Sequence, residues 1–351
     1  MASEIKKRNR HDLTSPRRAI MIQCARVIHT KLHEEVFVTK REKKMGLATR
    51  DAYGQALTEL GKENPTVVVL DGDVSGSTKS RGFAKEFPER FFNFGIAEAN
   101  LVSAASGFAA CGKIPFASSF SAFLICKTYD QLRMSVANPR LNVKLCGSHS
   151  GISLGQDGAS QMAVEDLALA CSIPKFTVLV PADEVATRAL VKRAAEHPGP
   201  VFIRTGRPNV PLIYSPGEPF EIGRAKLVRP GKDVTVIAIG MLVWESLEAA
   251  ERCAEKGIDV RVIDMHTVKP LDEEAIVSAA KETGAIVTAE EHLIDGGLGS
   301  RVAQVVVQNH PVPMEFIGLK NTYAESGTPA QLFERYGLTA NAIVEAIETV
   351  C

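Results

Sequence analysis

The chain has 351 residues, 45% of them apolar and 23% charged, with 41 basic and 41 acidic side chains. That is a globular balance, long enough for two domains with sizeable cores. Its zero formal charge gives no global case for a nucleic-acid or membrane-surface partner.

Residues 1–45 are basic and irregular (KKRNR, SPRR, KREKK), and the spacing within 20–39 predicts a short amphipathic helix. No apolar stretch marks a secretory signal there, and no later run approaches the roughly 18 residues of a membrane helix. From Met45 the pattern becomes regular. ATRDAYGQALTELGKEN reads as a helix and TVVVLDGD as a buried strand. RFFNFG is a short strand, EANLVSAASGFAACG a small-residue helix ending at Gly112, and IPFASSF a strand. AFLICKTYDQLRMSVANP reads as one helix stopped by Pro139. NVKLCGS, FTVLVP and PVFIRT read as strands separated by the helices AVEDLALACSIP and DEVATRALVKRAAEH. This alternation predicts an α/β domain over 46–211, a parallel sheet with helices on both faces. A Pro-rich stretch then predicts a linker at 212–222, and the alternation restarts as a smaller α/β domain over 223–351. Seven dispersed cysteines (Cys24, Cys111, Cys126, Cys146, Cys171, Cys253, Cys351) form no C-x-x-C pair, which suits free thiols in a reducing cytoplasm.

In an open parallel sheet, ligands sit beyond the carboxyl ends of the strands. The first domain offers there Asp71, Gly72, Asp73 and Ser77, then Glu98, then Phe120 and Phe123, then His149, Asp157 and Gln161, and last Arg207. One rim would carry a carboxylate, aromatic rings and cations, which suits a polar, phosphorylated small molecule. Each residue also has a plainer reading. Glu98 complements a helix N-terminus; Phe120 and Phe123 have core spacing. Asp157-Gly158 is a turn pair, and Arg207 suits a solvated loop. DGD at 71–73 is too short a motif to assign a metal, and none is assigned to this chain.

Together these residues resemble a family. FFNFGIAEANLVSAASGFA, SSFSAFLICKTYDQLRMS, HSGISLGQDGASQMAVEDLA, VFIRTGRP and VKPLD resemble the second half of transketolases, from about Met45 to Cys351. The resemblance implies a thiamine-diphosphate-binding fold: a pyrimidine-binding domain followed by a transketolase C-terminal domain. It implies that Glu98 hydrogen-bonds N1′ of the cofactor's aminopyrimidine, carrying the proton it donates, and that Phe120 and Phe123 pack on that ring. Gln161 stands where many transketolases have histidine. Arg50, Ser77, His149 and Arg207 are implied to hold the substrate phosphate, and Asp157 the C2 hydroxyl of the aldose acceptor. Gly206 departs from the serine often found before that arginine.

The diphosphate module with its GDG sequence is missing. The resemblance therefore implies a partner, the N-terminal transketolase subunit, holding Mg²⁺ and the diphosphate in an α₂β₂ assembly. The implied activity is transfer of a two-carbon ketol unit between sugar phosphates. A deoxyxylulose-phosphate synthase-like enzyme, a 2-oxo acid dehydrogenase β-type subunit and a non-catalytic regulatory half are the alternatives.

Overall fold

The inner strands of each sheet are largely buried, because a parallel strand is covered on both faces, and β-branched runs such as VVVL at 67–70 and VTVI at 234–237 suit that burial. In this computed structural model, which describes residues 42–351, β2 (Val67–Asp71), β5 (Lys144–Ser148) and β10 (Val234–Ala238) are buried along their whole length. The expected helix within 20–39 lies outside the described residues.

The first sheet also contains β3 (Phe91–Asn93), β4 (Ile114–Phe120), β6 (Thr177–Leu179), β7 (Val201–Arg204) and β12 (Thr267–Lys269). Its order is β12-β6-β7-β5-β4-β2-β3, parallel except for β12, which comes from the second half of the chain and pairs antiparallel with β6. The chain passes from β2 outward to β3 and then back across to β4. The two neighbours of β2 thus diverge in connection, and the crevice beyond β2 and β4 is the switch point where such sheets bind ligands. Register puts Asp71 opposite Ser118, and Phe120 opposite Ser148, on one rim.

The second sheet has order β14-β13-β10-β11-β9, using β9 (Lys226–Arg229), β11 (Val260–Asp264), β13 (Ile286–Leu293) and β14 (Met314–Leu319). Only β9 runs antiparallel. One apolar core joins Leu70, Leu101 and Phe176 to Ile237, Ile263 and Val302, so the two sheets share buried surface.

Two expectations change. The single helix expected before Pro139 is interrupted: Ala122–Cys126 and Leu132–Ala137 wind as π-helix around a short α-turn at Tyr129–Gln131. The wider turn lets Phe123 and Cys126 both face a cavity while Leu124 and Ile125 are fully buried. The stretch expected as a linker at 212–222 is also tied down at its start: Asp183 Oδ2 accepts the Ile213 and Tyr214 amides at 2.8 and 2.9 Å, just after β8 (Asn209–Pro211), which pairs with β1 (Met45–Ala48).

Candidate functional site

Glu98 is the first residue of helix Glu98–Ala110 and is 2% exposed, between the ends of β2 and β4. Ser119 Oγ lies 3.4 Å from its Oε1, and a Cβ on Gly72 would come within 3.1 Å of Ser119 Oγ. That Cβ would lie 3.8 Å from Glu98 Oε1, an ordinary contact, so a side chain at 72 would crowd Ser119 and not the carboxylate itself. Lys127, from the interrupted helix, donates to Glu98 Oε2 at 2.7 Å.

Phe120 ends β4. Its ring stacks on His149 with centroids 4.0 Å apart and on Phe123 at 6.1 Å. Phe123 lines a cavity of about 360 Å³ with Cys126, Ser160, Glu165 and Tyr323. Burial pushes the Cys126 thiol well above its usual range, so it stays a neutral wall.

His149 follows β5 in a left-handed conformation (φ 59°), which a side chain other than Gly adopts at a cost. Its Nε2 is 3.0 Å from Arg50 Nη1. Arginine only donates, so Nε2 accepts, the proton sits on Nδ1, and Ser148 Oγ accepts from it. Burial and then Arg50, Arg207 and Lys79 pull His149 down to about 3, so it is a neutral ring among cations. Arg50 Nη1 also donates to the Ser77 carbonyl at 3.2 Å, while its buried Nε has no hydrogen-bond partner among the described residues. Arg207 Nη1 donates to Leu154 O at 2.8 Å and meets Asp157 Oδ1 at 3.5 Å.

The structure thus groups Arg50, Ser77, His149 and Arg207, and places Asp157 beside Arg207. Ser77 enters through its carbonyl. Gln161 ends a short 3₁₀ turn, and its side chain makes no hydrogen bond among the described residues. The DGD stretch is occupied structurally: Asp71 accepts from Val74 N, Thr78 Oγ1 and Ser80 Oγ at 2.7–2.8 Å. No group of three or more His, Cys, Asp or Glu is placed to hold a metal among the described residues.

Sequence reasoning missed Lys127, Lys79 and Tyr323. Lys127 had a visible signal, a lone cation inside an apolar run. Lys79, which pairs with Asp51 at 3.0 Å, and Tyr323, which arrives from the second half, had none.

An α/β fold with a buried carboxylate and an aromatic wall at its switch point, beside a group of cations, gives the strand ends the chemistry of a site for an anionic ligand. Comparison with known proteins gives the family. Residues 45–212 match the family described as transketolase, pyrimidine binding domain, and residues 223–343 match transketolase, C-terminal domain. A Methanocaldococcus jannaschii chain described as a transketolase C-terminal section is 44% identical over 301 residues, 85% of this chain and 94% of that one. A 6-deoxy-6-sulfo-D-fructose transketolase subunit of Clostridium sp. (strain MSTE9) is 42% identical over 86% and 94% of the two chains. Human transketolase is 44% identical, and the match covers 86% of this chain but 48% of the human protein. A solved structure titled split gene transketolase, inactive beta4 tetramer superposes with a TM-score of 0.82 at 50% identity, over 87% of this chain and 98% of that one. The chain belongs to the transketolase family.

The family implies thiamine diphosphate. Its aminopyrimidine end asks for a carboxyl group, a stacking surface and open space beside them. Glu98 offers the carboxyl group, and Phe123, in the same chain segment as Phe120, offers a ring on the wall of an open cavity, so the residues present fit that end of the cofactor.

Proposed function

We propose that this chain is the C-terminal half of a two-chain transketolase that moves a two-carbon ketol unit from a ketose phosphate to an aldose phosphate. The observation that carries the reading is the pair of cations Arg50 and Arg207 around neutral His149, whose ring stacks on Phe120 of the aromatic wall beside Glu98. A scaffold half would have no use for this grouping of cations, in which the half-buried Arg50 keeps its Nε free of hydrogen bonds and only 3.8 Å from Asp51. A short 2-oxo acid would give those cations nothing to bind.

When bound, thiamine diphosphate supplies the carbon nucleophile. The residues of this chain do the rest. Glu98 holds a proton at N1′ of the aminopyrimidine, and Phe120 and Phe123 fix that ring by stacking and exclude water. Arg50, the Ser77 segment, neutral His149 and Arg207 take the phosphate oxygens, a task suited to the arginine fork. Asp157 accepts the acceptor's C2 hydroxyl, and Gln161 borders the cofactor.

A partner subunit would carry the diphosphate module and Mg²⁺, with two sites in an α₂β₂ assembly. The described free cysteines favour a reducing cytoplasm as the setting. Domain limits near 46–211 and 223–351, joined at 212–222, are part of the same proposal. The solved relative described as an inactive β₄ tetramer supports a half that assembles without turning over.

The relative named for a sulfonated ketose favours a second substrate reading, a ketose ending in sulfonate. Sulfonate, like phosphate dianion, only accepts hydrogen bonds, and the cation group suits either.

The test is purification of the chain with and without a subunit carrying the diphosphate module. Ketol transfer is assayed with thiamine diphosphate, Mg²⁺ and a panel of phosphorylated and sulfonated sugars. Activity only in the mixture is expected; full activity of the chain alone would sink the split-subunit reading.

A further inference from the structure

Behind the two walls of the site runs a buried polar strut that no step of the transfer uses. Asp166, at the start of helix Asp166–Ser172, is fully buried. Its Oδ2 accepts from Ser121 Oγ at 2.7 Å and from Arg204 Nε at 2.9 Å. Arg204 ends β7, and its Nη2 donates to Ala163 O at 3.1 Å and to Glu291 O at 3.0 Å. Glu291 belongs to β13 of the second sheet, and its Oε1 accepts the Ser153 amide at 2.5 Å.

Each arm ends on a site element. Ser121 lies between Phe120 and Phe123, and Ser153 lies between His149 and Asp157. The loop backbone is moulded to the Glu291 carboxylate: Gly151 has φ 72°, and any Cβ there would overlap that carboxylate. Stability alone does not account for the arrangement. Buried ion pairs are weak stabilisers, and apolar residues of the same volume often serve as well or better. This one also leaves Asp166 Oδ1 and Ser153 Oγ without hydrogen-bond partners among the described residues.

We infer that Glu291 and Asp166 are positioning residues, through which the C-terminal domain sets the spacing between the aromatic wall (Phe120, Phe123) and the substrate loop (His149–Gln161). What those walls hold rests on the proposed function; the strut itself does not. A displacement of about 1 Å at such a wall can cost on the order of 100-fold in rate.

Glu291→Ala, Glu291→Gln and Ser121→Ala test the inference in two ways. Amide hydrogen exchange is followed in the purified chain, a readout independent of turnover. Glu291→Ala should speed exchange across 150–163 at least about tenfold, with β2 and helix Ala340–Val350 unchanged. Glu291→Gln, which keeps an acceptor for Ser153 N–H, should restore protection. In the two-chain complex, Glu291→Ala should raise KM for an aldopentose phosphate about tenfold or more, with a smaller effect on kcat. Ser121→Ala, which removes one hydroxyl, should weaken thiamine diphosphate binding several-fold, with a melting temperature lowered by only about 2–5 °C. Unchanged exchange in 150–163, loosening spread evenly over the chain, or a loosened loop with wild-type KM would each overturn the inference. If Glu291→Ala does not fold, Ser121→Ala decides alone, and wild-type cofactor affinity would refute the strut's aromatic arm. A complex without ketol transfer would remove the proposed function and leave the exchange result standing.

Discussion

Lys127 Nζ rests 2.7 Å from Glu98 Oε2, joining a half-exposed ammonium to a carboxylate whose side chain is only 3% exposed. The carboxylate is fixed by the start of its helix, whereas the lysine stem is free to turn toward solvent. A ligand that hydrogen-bonds Glu98 Oε2 would compete with Lys127 for that oxygen.

The two residues should therefore separate in a mutant pair. In the two-chain complex, Glu98→Gln should lower turnover by about 100-fold or more, the scale of lost general acid–base assistance. Lys127→Ala should cost about 1–3 kcal/mol in the free chain, because it leaves the buried Glu98 carboxylate without its cation. It should also leave cofactor affinity unchanged or tighter. Steady-state kinetics and cofactor titration check both, and equal losses in the two variants would contradict that competition.

For the cation pocket the expected signature is selectivity. Arg50→Ala or Arg207→Ala removes a charged hydrogen bond worth about 1.5–3 kcal/mol. KM for a phosphorylated acceptor should rise about 10- to 150-fold by that energy, while an uncharged aldehyde acceptor should be affected little. Parallel kinetics with the two acceptors decides; equal losses would place the arginines elsewhere in function.

The parallel strands and rim residues were legible because parallel strands bury continuous apolar runs and their carboxyl ends follow in fixed order. The β-branched run at 66–70 and the short motifs after each strand carried that information. Elements set by distant partners were not legible. Strand Thr267–Lys269 is too short to show a period and exists because β6 offers an edge. Lys144 looks out of place in a buried strand until its ammonium is seen held by Asn142 Oδ1, His197 O and Gly199 O at 2.6–2.7 Å. The grouping of Arg50 with His149 depends on residues 99 positions apart. The Asp166–Arg204–Glu291 strut likewise joins three segments that no local pattern links.

His149 should remain neutral throughout the working range. Held at about 3 by burial and neighbouring arginines, it does not become a cation above pH 5. Because an unfolded histidine protonates near 6.5, the folded state binds fewer protons between pH 6.5 and 3, and stability falls as pH drops through that window. NMR of the imidazole should show no titration between pH 5 and 8, and a midpoint above 5 would contradict the site's electrostatics.

Assembly should depend on Ile96. It is 80% exposed in the turn just before Glu98, more than any other exposed large apolar side chain among the described residues, and it stands beside the proposed shared site. Burying such a side chain is worth about 1.5–3 kcal/mol, so Ile96→Glu should weaken complex formation at least about tenfold. Circular dichroism and melting temperature should not change. Sedimentation analysis of the mixture checks this, and wild-type assembly would place the partner elsewhere.

Glu290 gives the fold a pH dependence of the opposite sign to that of His149. Its carboxylate accepts the Leu298 and Gly299 amides at 2.7 and 2.8 Å, at the start of helix Leu298–Asn309, where negative charge is favoured. Burial nevertheless dominates and lifts it to about 7. An unfolded glutamate titrates near 4.3. Between those values the folded state binds more protons, so this contribution to stability is complete below about pH 4.3 and is lost as pH rises through 7. Glu290→Gln keeps one acceptor for the helix and cannot ionise. Its melting temperature relative to wild type should therefore climb from pH 5 to pH 8, by about 1–2 °C for each kcal/mol recovered. Scanning calorimetry of the two proteins across that range reads the difference directly. A constant offset would mean that the helix amides, and not burial, set the state of this carboxyl group.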